Sequence, residues 1–347
     1  MVAFYLVLFA IIFWGVHWKR VGFFDDNLGK NQCTAIKGIF IWIVFARHIG
    51  DYIPHADGAL NIGYNIINVL VGQLLVVMFL FYSGYGVMQQ IKRKGASYVK
   101  GMPRNRIVNT FVNFDIAVVS FVVLNLISGV DMQLRQILLS LVCWDSVGNS
   151  NWYIFAILAC YTLTWCVCVL AILHGKNANA AFAEWWIWAL VVLLSLSLST
   201  VKQSWWYNTI FAFPLGITYS IHEDRIKGYV SRHYSKILGF SIVALCVMFA
   251  MPYEWRGVSN NLFSMSFAFL VVMLTMKVKI GNPILIWLGA HLFPLYIYQR
   301  LPMIGFRQWL GKEFIATHPI PYSMACVTVT LLIAATYHHW EVNIKSK

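Results

Sequence analysis

An apolar stretch long enough to span a membrane, residues 34–53 (TAIKGIFIWIVFARHIGDYI), carries Lys37, Arg47, His48 and Asp51. Ionisable side chains are costly at such a depth, and they usually mark a functional site. Lys37 and His48 are eleven residues apart, so they return to nearly one helix face, with roughly 16 Å between them along the axis. One face therefore carries a cation near one end and an imidazole near the other, and we expect the chemistry in this segment.

His48 is the candidate for proton transfer, because imidazole gains and loses a proton near neutral pH. As a general base it would take the proton of an acceptor hydroxyl, and Asp51, at i+3, could fix the imidazole tautomer. Alternatively, His48 is itself acylated transiently and passes the group on. A histidine that only packs between helices, and an Arg47 that pairs with Asp51 at i+4, are the simpler interpretations. The sequence leaves these alternatives open.

The composition is that of a membrane protein. Apolar residues make up 60% of the chain, charged residues only 11%, and the mean hydropathy is +0.67. Such a chain is predicted to be all-α and to cross the membrane many times. Residues 1–18 lack a basic start and a small-residue cleavage site, which favours a retained first span over a removed signal peptide.

Apolar runs of about 17 to 25 residues predict about eleven membrane-spanning helices. A further run, 136–144 (QILLSLVCW), is too short to span and is predicted to be re-entrant or interfacial. The predicted spans are residues 2–18, 34–53, 64–91, 107–129, 151–173, 184–200, 205–221, 236–251, 260–276, 283–301 and 321–340.

Basic residues divide the loops into two sets. With the amino terminus outside, most of the 26 Lys and Arg residues fall on the cytoplasmic side, including a cluster between residues 92 and 106. This pattern predicts a multi-pass protein of a plasma membrane, expected to be bacterial, with the carboxyl terminus in the cytoplasm. The net charge of +13 follows from that topology. The sequence lacks the pattern of basic residues interleaved with aromatic residues that is typical of nucleic-acid binding, so no nucleic-acid partner is expected.

The cysteines indicate neither disulfides nor a metal. Six of the seven fall in apolar segments, and Cys166 and Cys168 would point away from each other on a helix. The motifs of serine hydrolases, zinc proteases and phosphate-binding loops are not found in the sequence. No metal site and no permanently bound cofactor is expected.

Short segments, in order along the chain, resemble the acyltransferase-3 family of integral membrane acyltransferases. The run KGIFIWIVFARH (37–48) resembles the family signature of an Arg-Gly pair followed, after a ten-residue spacer, by a histidine. The other segments that resemble the family are FLFYSGYGVMQQ (79–90), KGMPRNRIVNTF (100–111), NWYIFAILACY (151–161) and HLFPLYIYQR (291–300). The resemblance implies a membrane acyltransferase domain of ten helices at 31–347, preceded by an additional helix and cytoplasmic loop at 1–30.

Three features depart from the family pattern. Lys37 stands where the family usually has arginine, and Gln299 stands where a histidine often follows the tyrosines. The basic loop at 100–111 also lacks the proline that commonly comes soon after it. Lysine keeps the positive charge of arginine but not its bidentate hydrogen bonding, so the contact to the acyl donor would differ.

The resemblance implies transfer of an acyl group, with acetyl as the expected one, from cytoplasmic acetyl-CoA to a hydroxyl of a cell-surface or secreted carbohydrate. Phosphates need cations, and four basic residues near the predicted cytoplasmic face could supply them. These candidate donor-binding residues are Lys37, Lys94, Arg104 and Arg106. Their simpler interpretation is that they anchor the topology.

The expected contacts to the carbohydrate or glycolipid acceptor lie at the outer end of the fifth predicted span. Asn151, Trp152 and Tyr153 could stack and hydrogen-bond a sugar ring, or form part of an aromatic belt. A secondary transporter or a glycolipid flippase is the rival function, because buried charges also suit proton-coupled transport. The halves show no internal repeat and the ionisable groups concentrate in one early helix, which favours the enzyme.

Overall fold

The computed structural model of the chain describes residues 2–53, 72–173, 180–250 and 256–342, and these residues are almost entirely helical. The helices are α1 (Val2–Phe13), α2 (Lys30–Gly50), α3 (Val77–Lys94), α4 (Ala96–Met102), α5 (Asn109–Ile127), α6 (Leu134–Leu141), α7 (Trp152–Leu173), α8 (Ala180–Val201), α9 (Ala212–Ile221), α10 (Glu223–Arg232), α11 (Tyr234–Ala250), α12 (Arg256–Lys277), α13 (Pro283–Ala290), α14 (Leu292–Tyr298), α15 (Arg300–Thr317) and α16 (Pro319–Trp340). Three short helical turns, Gly72–Val76, Pro103–Val108 and Ser204–Trp206, and two short strands, β1 (Val16–Trp18) and β2 (Val278–Ile280), complete the described fold.

Seven helices in the described ranges are long and apolar enough to cross a membrane, and an eighth qualifies if α10 and α11, bent by 98°, form one span. They confirm the all-α, multi-pass prediction, but the count of eleven is not confirmed. The seven are Lys30–Gly50, Leu74–Lys94, Ala96–Ile127, Trp152–Leu173, Phe182–Val201, Asn260–Lys277 and Pro319–Trp340. Residues 64–71 of the third predicted span lie outside the described residues.

The first predicted span, 2–18, is wrong at its carboxyl end. Helix α1 stops at Phe13, and Gly15 adopts a φ of 85°, a left-handed conformation that few residues other than glycine tolerate. Residues 16–18 then pair antiparallel with β2, with Val16 opposite Ile280 and Trp18 opposite Val278.

Two other predicted spans, 205–221 and 283–301, are not continuous helices. The first contains the end of a short 3₁₀ turn, Ser204–Trp206, and the ten-residue α9, with Pro214 in its first turn. The second is divided into α13 and α14 and is followed directly by α15. Pro294 and Pro302 lack the N–H that would bond to the carbonyls of Ala290 and Tyr298, so proline accounts for both breaks.

A close crossing joins α2 to α13. A Cβ atom at Gly38 would collide with the carbonyl oxygen of Leu285, and one at Gly289 would lie 2.9 Å from the Gly38 nitrogen and collide with the Thr34 carbonyl. Only glycine lets the two backbones approach this closely. The contact fixes the register of α2 against the α13–α14 segment.

A second close crossing joins α3 to α9. A Cβ at Gly84 would collide with the carbonyl oxygen of Phe213, and one at Gly216 would collide with that of Phe81. Gly86, two positions further along α3, faces open space. Helix α3 is also the most enclosed of the seven candidate spans, with 72% of its apolar window buried, so it forms the centre of the molecule.

Basic loops lie together at one end of the fold. β1 and β2 pair there, Lys279 forms an ion pair with Asp26, and the Lys227 ammonium donates to the Asp25 carbonyl oxygen at 3.4 Å. The hydrogen bond from Lys279 lowers the pKa of the Asp26 carboxyl. Three loops predicted to be cytoplasmic thus meet, as a one-sided topology requires. Their orientation relative to a membrane stays a prediction.

Candidate functional site

His48 lies in the last turn of α2 and is only partly exposed. Its Nδ1 is buried, and no described residue hydrogen-bonds to it. The side chains of Gln299 and Arg300, at the junction of α14 and α15, lie beside the imidazole. In the sequence, Gln299 is visible only as a departure from the family pattern and Arg300 has no predicted role, so both are site residues that the sequence did not reveal.

Gln299 is completely buried. Its Nε2 donates a hydrogen bond to the carbonyl oxygen of Tyr296 at 3.1 Å, while its Oε1 accepts none from the part of the chain that the structure describes. The glycine crossing explains why Gln299 reaches His48. Gly38 faces Gly289, and ten positions further along each segment His48 lies beside Gln299.

Asp51 does not take the position expected of a partner for His48. Its carboxylate accepts a hydrogen bond from Arg47 at 2.6 Å, in an i,i+4 ion pair that leaves both side chains nearly half exposed. Within the described ranges the two side chains of Asp51 and His48 form no hydrogen bond with each other. A catalytic role for Asp51 stays a prediction, and the simpler pairing with Arg47 is the one found.

Cations surround the His48 end of the site. Arg300 donates a hydrogen bond to the Tyr52 hydroxyl at 3.1 Å, and the guanidinium groups of Arg300 and Arg307 lie 5.8 and 5.4 Å from the Tyr52 ring. Arg300 and Arg47 both exert their positive charge on His48. Such an environment can stabilise an oxyanion that develops near the imidazole.

A second basic group lies at the other end of α2. Arg106 is close enough to Lys37 for their charges to interact, and its Nε donates to the Tyr98 hydroxyl at 3.3 Å. Arg104 and Arg106 belong to a π-helical turn, Pro103–Val108, in which the Asn109 N–H bonds to the Arg104 carbonyl. Turns of this kind are common at functional sites.

The four predicted donor-binding residues lie at the same end of the structure, but they do not form a single cluster of contacting side chains. Lys37 and Arg106 interact, whereas Lys94 is exposed in the last turn of α3 and Arg104 is half-buried in the π-helical turn. Lys37 is partly exposed at its place on α2. Lys37 and Arg106 are therefore the pair that the geometry supports most directly.

Polar side chains connect the two ends through the interior. Tyr161 lies beside Arg106, and the Ser83 side chain lies beside both Tyr161 and Tyr153. The ring of Tyr153 then meets that of Tyr296 at 5.1 Å, one helical turn before Gln299. We call these four residues, Tyr161, Ser83, Tyr153 and Tyr296, the polar row. Sequence periodicity could not find it, because its members come from three separate helices.

Asn151, Trp152 and Tyr153 have different surroundings. Tyr153 is buried in the polar row, and Trp152 is partly exposed with its ring 6.5 Å from that of Tyr153. Asn151 donates hydrogen bonds to the carbonyls of Asp145 at 2.8 Å and Cys143 at 3.3 Å. Only Asn151 among the three lines an open cleft at this end of the molecule.

A cleft of about 630 Å³ opens beside Asn151, at the end of the molecule where α7 begins. Lys202 projects into it, with its ammonium 4.0 and 4.3 Å from the ring centres of Trp144 and Trp206 and bonded to the Trp144 carbonyl at 2.7 Å. Burial lowers the pKa of Lys202, and the nearby Asp145 carboxylate opposes that shift. The cleft is lined by, among others, Arg135, Gln136, Trp144, Asn151, Lys202 and Trp206. Indole rings, amides and cations together suit a polar ligand with ring faces, such as a sugar.

A group of three or more histidine, cysteine or acidic side chains able to hold a metal ion does not occur in the described part of the chain. The model of the acyltransferase domain of the acyltransferase-3 family matches residues 30–339. Comparison with curated proteins and with solved structures gives no match. The matched range begins at the first residue of α2 and includes His48, Gln299, the polar row and the cleft.

Proposed function

Because the chain belongs to the acyltransferase-3 family of membrane acyltransferases, we propose that it transfers an acetyl group from cytoplasmic acetyl-CoA to a hydroxyl of a cell-surface or secreted carbohydrate. The observation that carries this proposal is the connection between two chemically different ends. Lys37 and Arg106 form a basic end, the polar row crosses the interior, and His48 lies at the opposite end. A donor with phosphates and a neutral acceptor would need such an arrangement.

The basic end suits the donor. Phosphates of coenzyme A would be held by Lys37 and Arg106, with Arg104 and Lys94 nearby, because cations and phosphate oxygens form strong charge-assisted hydrogen bonds. The thioester arm would then extend along the polar row, where hydroxyl groups can bond to its amides. The thioester carbonyl would thus approach the imidazole from within the membrane.

At the other end, Nε2 of His48 would remove the proton of the acceptor hydroxyl as that oxygen attacks the thioester carbon. The tetrahedral intermediate carries a negative charge on the former carbonyl oxygen, which Arg300 or Arg47 could stabilise. Collapse breaks the carbon–sulfur bond, and the imidazolium returns its proton to the leaving thiolate. In the alternative route His48 is acylated first, with release of the thiol, and the acceptor oxygen then takes the acetyl group from the imidazole.

The acceptor would enter through the cleft beside Asn151. Trp144 and Trp206 offer indole rings against which a sugar can pack, and Gln136 and Asn151 offer amides. Ser150, which immediately precedes the cleft-lining Asn151, lies beside the hydroxyl of Tyr296 in the polar row. The cleft and His48 thus share one end of the molecule, which we take as the outer face of a plasma membrane.

The test uses purified protein in liposomes, radiolabelled acetyl-CoA and cell-envelope carbohydrate from the native host. Label should appear in the carbohydrate as an ester that alkali releases, and His48→Ala should abolish it. His318→Ala is the matched control, because His318 is exposed and its imidazole bonds to the neighbouring Thr317 hydroxyl and to the Phe314 carbonyl. Absence of labelled ester with the unaltered protein would contradict the proposed function, and label retained by His48→Ala would exclude His48 as the central residue.

A further inference from the structure

Two buried polar atoms that could hydrogen-bond to each other lie on neighbouring side chains of the candidate site. Nδ1 of His48 and Oε1 of Gln299 are both buried, and neither has a hydrogen-bond partner among the residues described. The two side chains are nevertheless neighbours. A buried polar atom without a partner is unfavourable, so two such atoms on neighbouring side chains call for an explanation.

We infer that Gln299 is the positioning residue of His48, its side-chain oxygen accepting a hydrogen bond from the Nδ1–H and thereby leaving Nε2 unprotonated to act on the acceptor hydroxyl. This inference rests on the proposed function and assigns to Gln299 the task that sequence reasoning gave to Asp51. Asp51 is engaged with Arg47 instead.

The orientation of the Gln299 amide follows from its other hydrogen bond. The carbonyl oxygen of Tyr296 can only accept, so the Gln299 atom that lies 3.1 Å from it must be the NH₂ group. The amide oxygen therefore takes the remaining direction, towards His48. An acceptor there can bond only to a ring nitrogen that carries hydrogen, which selects the Nδ1–H tautomer of a neutral imidazole.

The backbone holds this pair in register. Substituting either Gly38 or Gly289 would force α2 and α13 apart. The contact between these glycines therefore sets the position of His48, along the axis of α2, relative to Gln299. Complete burial of Gln299 in the segment between Pro294 and Pro302 leaves its side chain little room to turn away. An orienting group must be held firmly to fix a catalytic side chain.

The charged groups that act on the imidazole are Arg47, from its own helix, and Arg300, from α15. Both are cations, so neither can accept a hydrogen bond from Nδ1–H. The neutral amide of Gln299 is the acceptor that the described surroundings provide. It orients the ring without adding a negative charge that would hold the imidazole protonated.

The test compares Gln299→Leu, which removes the acceptor, with Gln299→Glu, which keeps an oxygen in its place. We expect Gln299→Leu to lower kcat about 10- to 100-fold with the KM for acetyl-CoA unchanged. Gln299→Glu should retain more activity than Gln299→Leu, and its pH–rate profile should move to higher pH, because a carboxylate favours the protonated imidazole. Gln308→Leu is the matched control, since that amide bonds to Asn125.

A purely structural role predicts the opposite order, because a buried carboxylate would disturb packing more than leucine does. Gln299→Leu with unchanged kcat, or Gln299→Glu with the lower activity and an unshifted profile, would overturn the inference. A second readout does not require turnover. In protein labelled with ¹⁵N-histidine, the His48 signals, identified by their loss in His48→Ala, should report the Nδ1–H tautomer, and Gln299→Leu should give a mixture.

The two readouts separate this inference from the proposed function. If the unaltered protein transfers no acetyl group but the tautomer still depends on Gln299, the proposed function fails and the positioning role stands. If acetyl transfer occurs and the tautomer is the same in Gln299→Leu, the positioning role fails alone.

Discussion

Two alanine substitutions in one helix provide a sharp test of the packing that holds the site together. A methyl group at Gly84 would lie 3.0 Å from the Phe213 carbonyl carbon and 3.4 Å from the Ile217 nitrogen, and closer still to the Phe213 oxygen. Gly86 has nothing within 4 Å of its Cβ position. Both glycines lie in α3, so the two variants share the gain in helix propensity, about 0.5–1 kcal/mol.

Gly84→Ala must separate two backbones, and overpacking of this kind costs about 1–3 kcal/mol. We expect a net loss of unfolding free energy of up to about 2 kcal/mol for Gly84→Ala and a gain of up to about 1 kcal/mol for Gly86→Ala. The rate of acetyl transfer should likewise fall in Gly84→Ala and stay close to normal in Gly86→Ala. Ser83 moves with the displaced α3, and a shift of about 1 Å near a reacting centre can cost on the order of 100-fold in rate.

The assay is reversible unfolding in detergent micelles, paired with acetyl transfer at saturating acetyl-CoA. Equal stability of Gly84→Ala and Gly86→Ala would refute the close crossing of α3 with α9. A stable Gly84→Ala variant with normal turnover would refute the claim that this crossing positions the polar row.

Three further substitutions follow from the site. Arg106→Gln should raise the KM for acetyl-CoA about tenfold or more with a smaller effect on the acceptor, since a charge-assisted bond to phosphate is lost; an unchanged donor KM would remove Arg106 from the donor site. Lys202→Met, which keeps the apolar stem over Trp144 and Trp206, should raise the KM for the acceptor about tenfold and leave that for acetyl-CoA unchanged; the reverse pattern would exclude the cleft as the acceptor site. Asp51→Asn should change the unfolding free energy by less than about 1 kcal/mol and kcat by less than about fivefold, because Asp51 belongs to an exposed ion pair; a drop on the order of 100-fold would restore it as the partner of His48.

Hydropathy located the continuous spans because a helix in lipid must be apolar along its whole length. Helices α2, α7 and α16 lie where their apolar runs predicted them. Hydropathy failed where an apolar run is divided into shorter helices. The 283–301 run reads as one span by hydropathy, but Pro294 interrupts its hydrogen-bond ladder.

The site was predictable only in part, for a physical reason. The charges of α2 lie on one helix, so periodicity could place Lys37 and His48 on one face. The partners of these residues come from distant segments, and a single sequence contains no signal for which distant side chains meet. Gln299 was visible in the sequence only as a departure from the family pattern. The i,i+4 spacing of Arg47 and Asp51 predicted their ion pair, but the sequence could not show whether Asp51 would pair with Arg47 or with His48.

Sidedness of transfer in sealed vesicles tests the proposed mechanism most directly, because the donor would bind at the Lys37 end and the acceptor at the His48 end. Radiolabelled acetyl-CoA would be supplied to inside-out vesicles, which expose the basic end, and to right-side-out vesicles, with envelope carbohydrate enclosed or added on the opposite side. We expect labelled ester on the opposite side only when acetyl-CoA meets the basic end, and we expect it to be lost in both Lys37→Ala and His48→Ala. Equal labelling from either side, or labelling only when donor and acceptor share a side, would contradict the proposed mechanism.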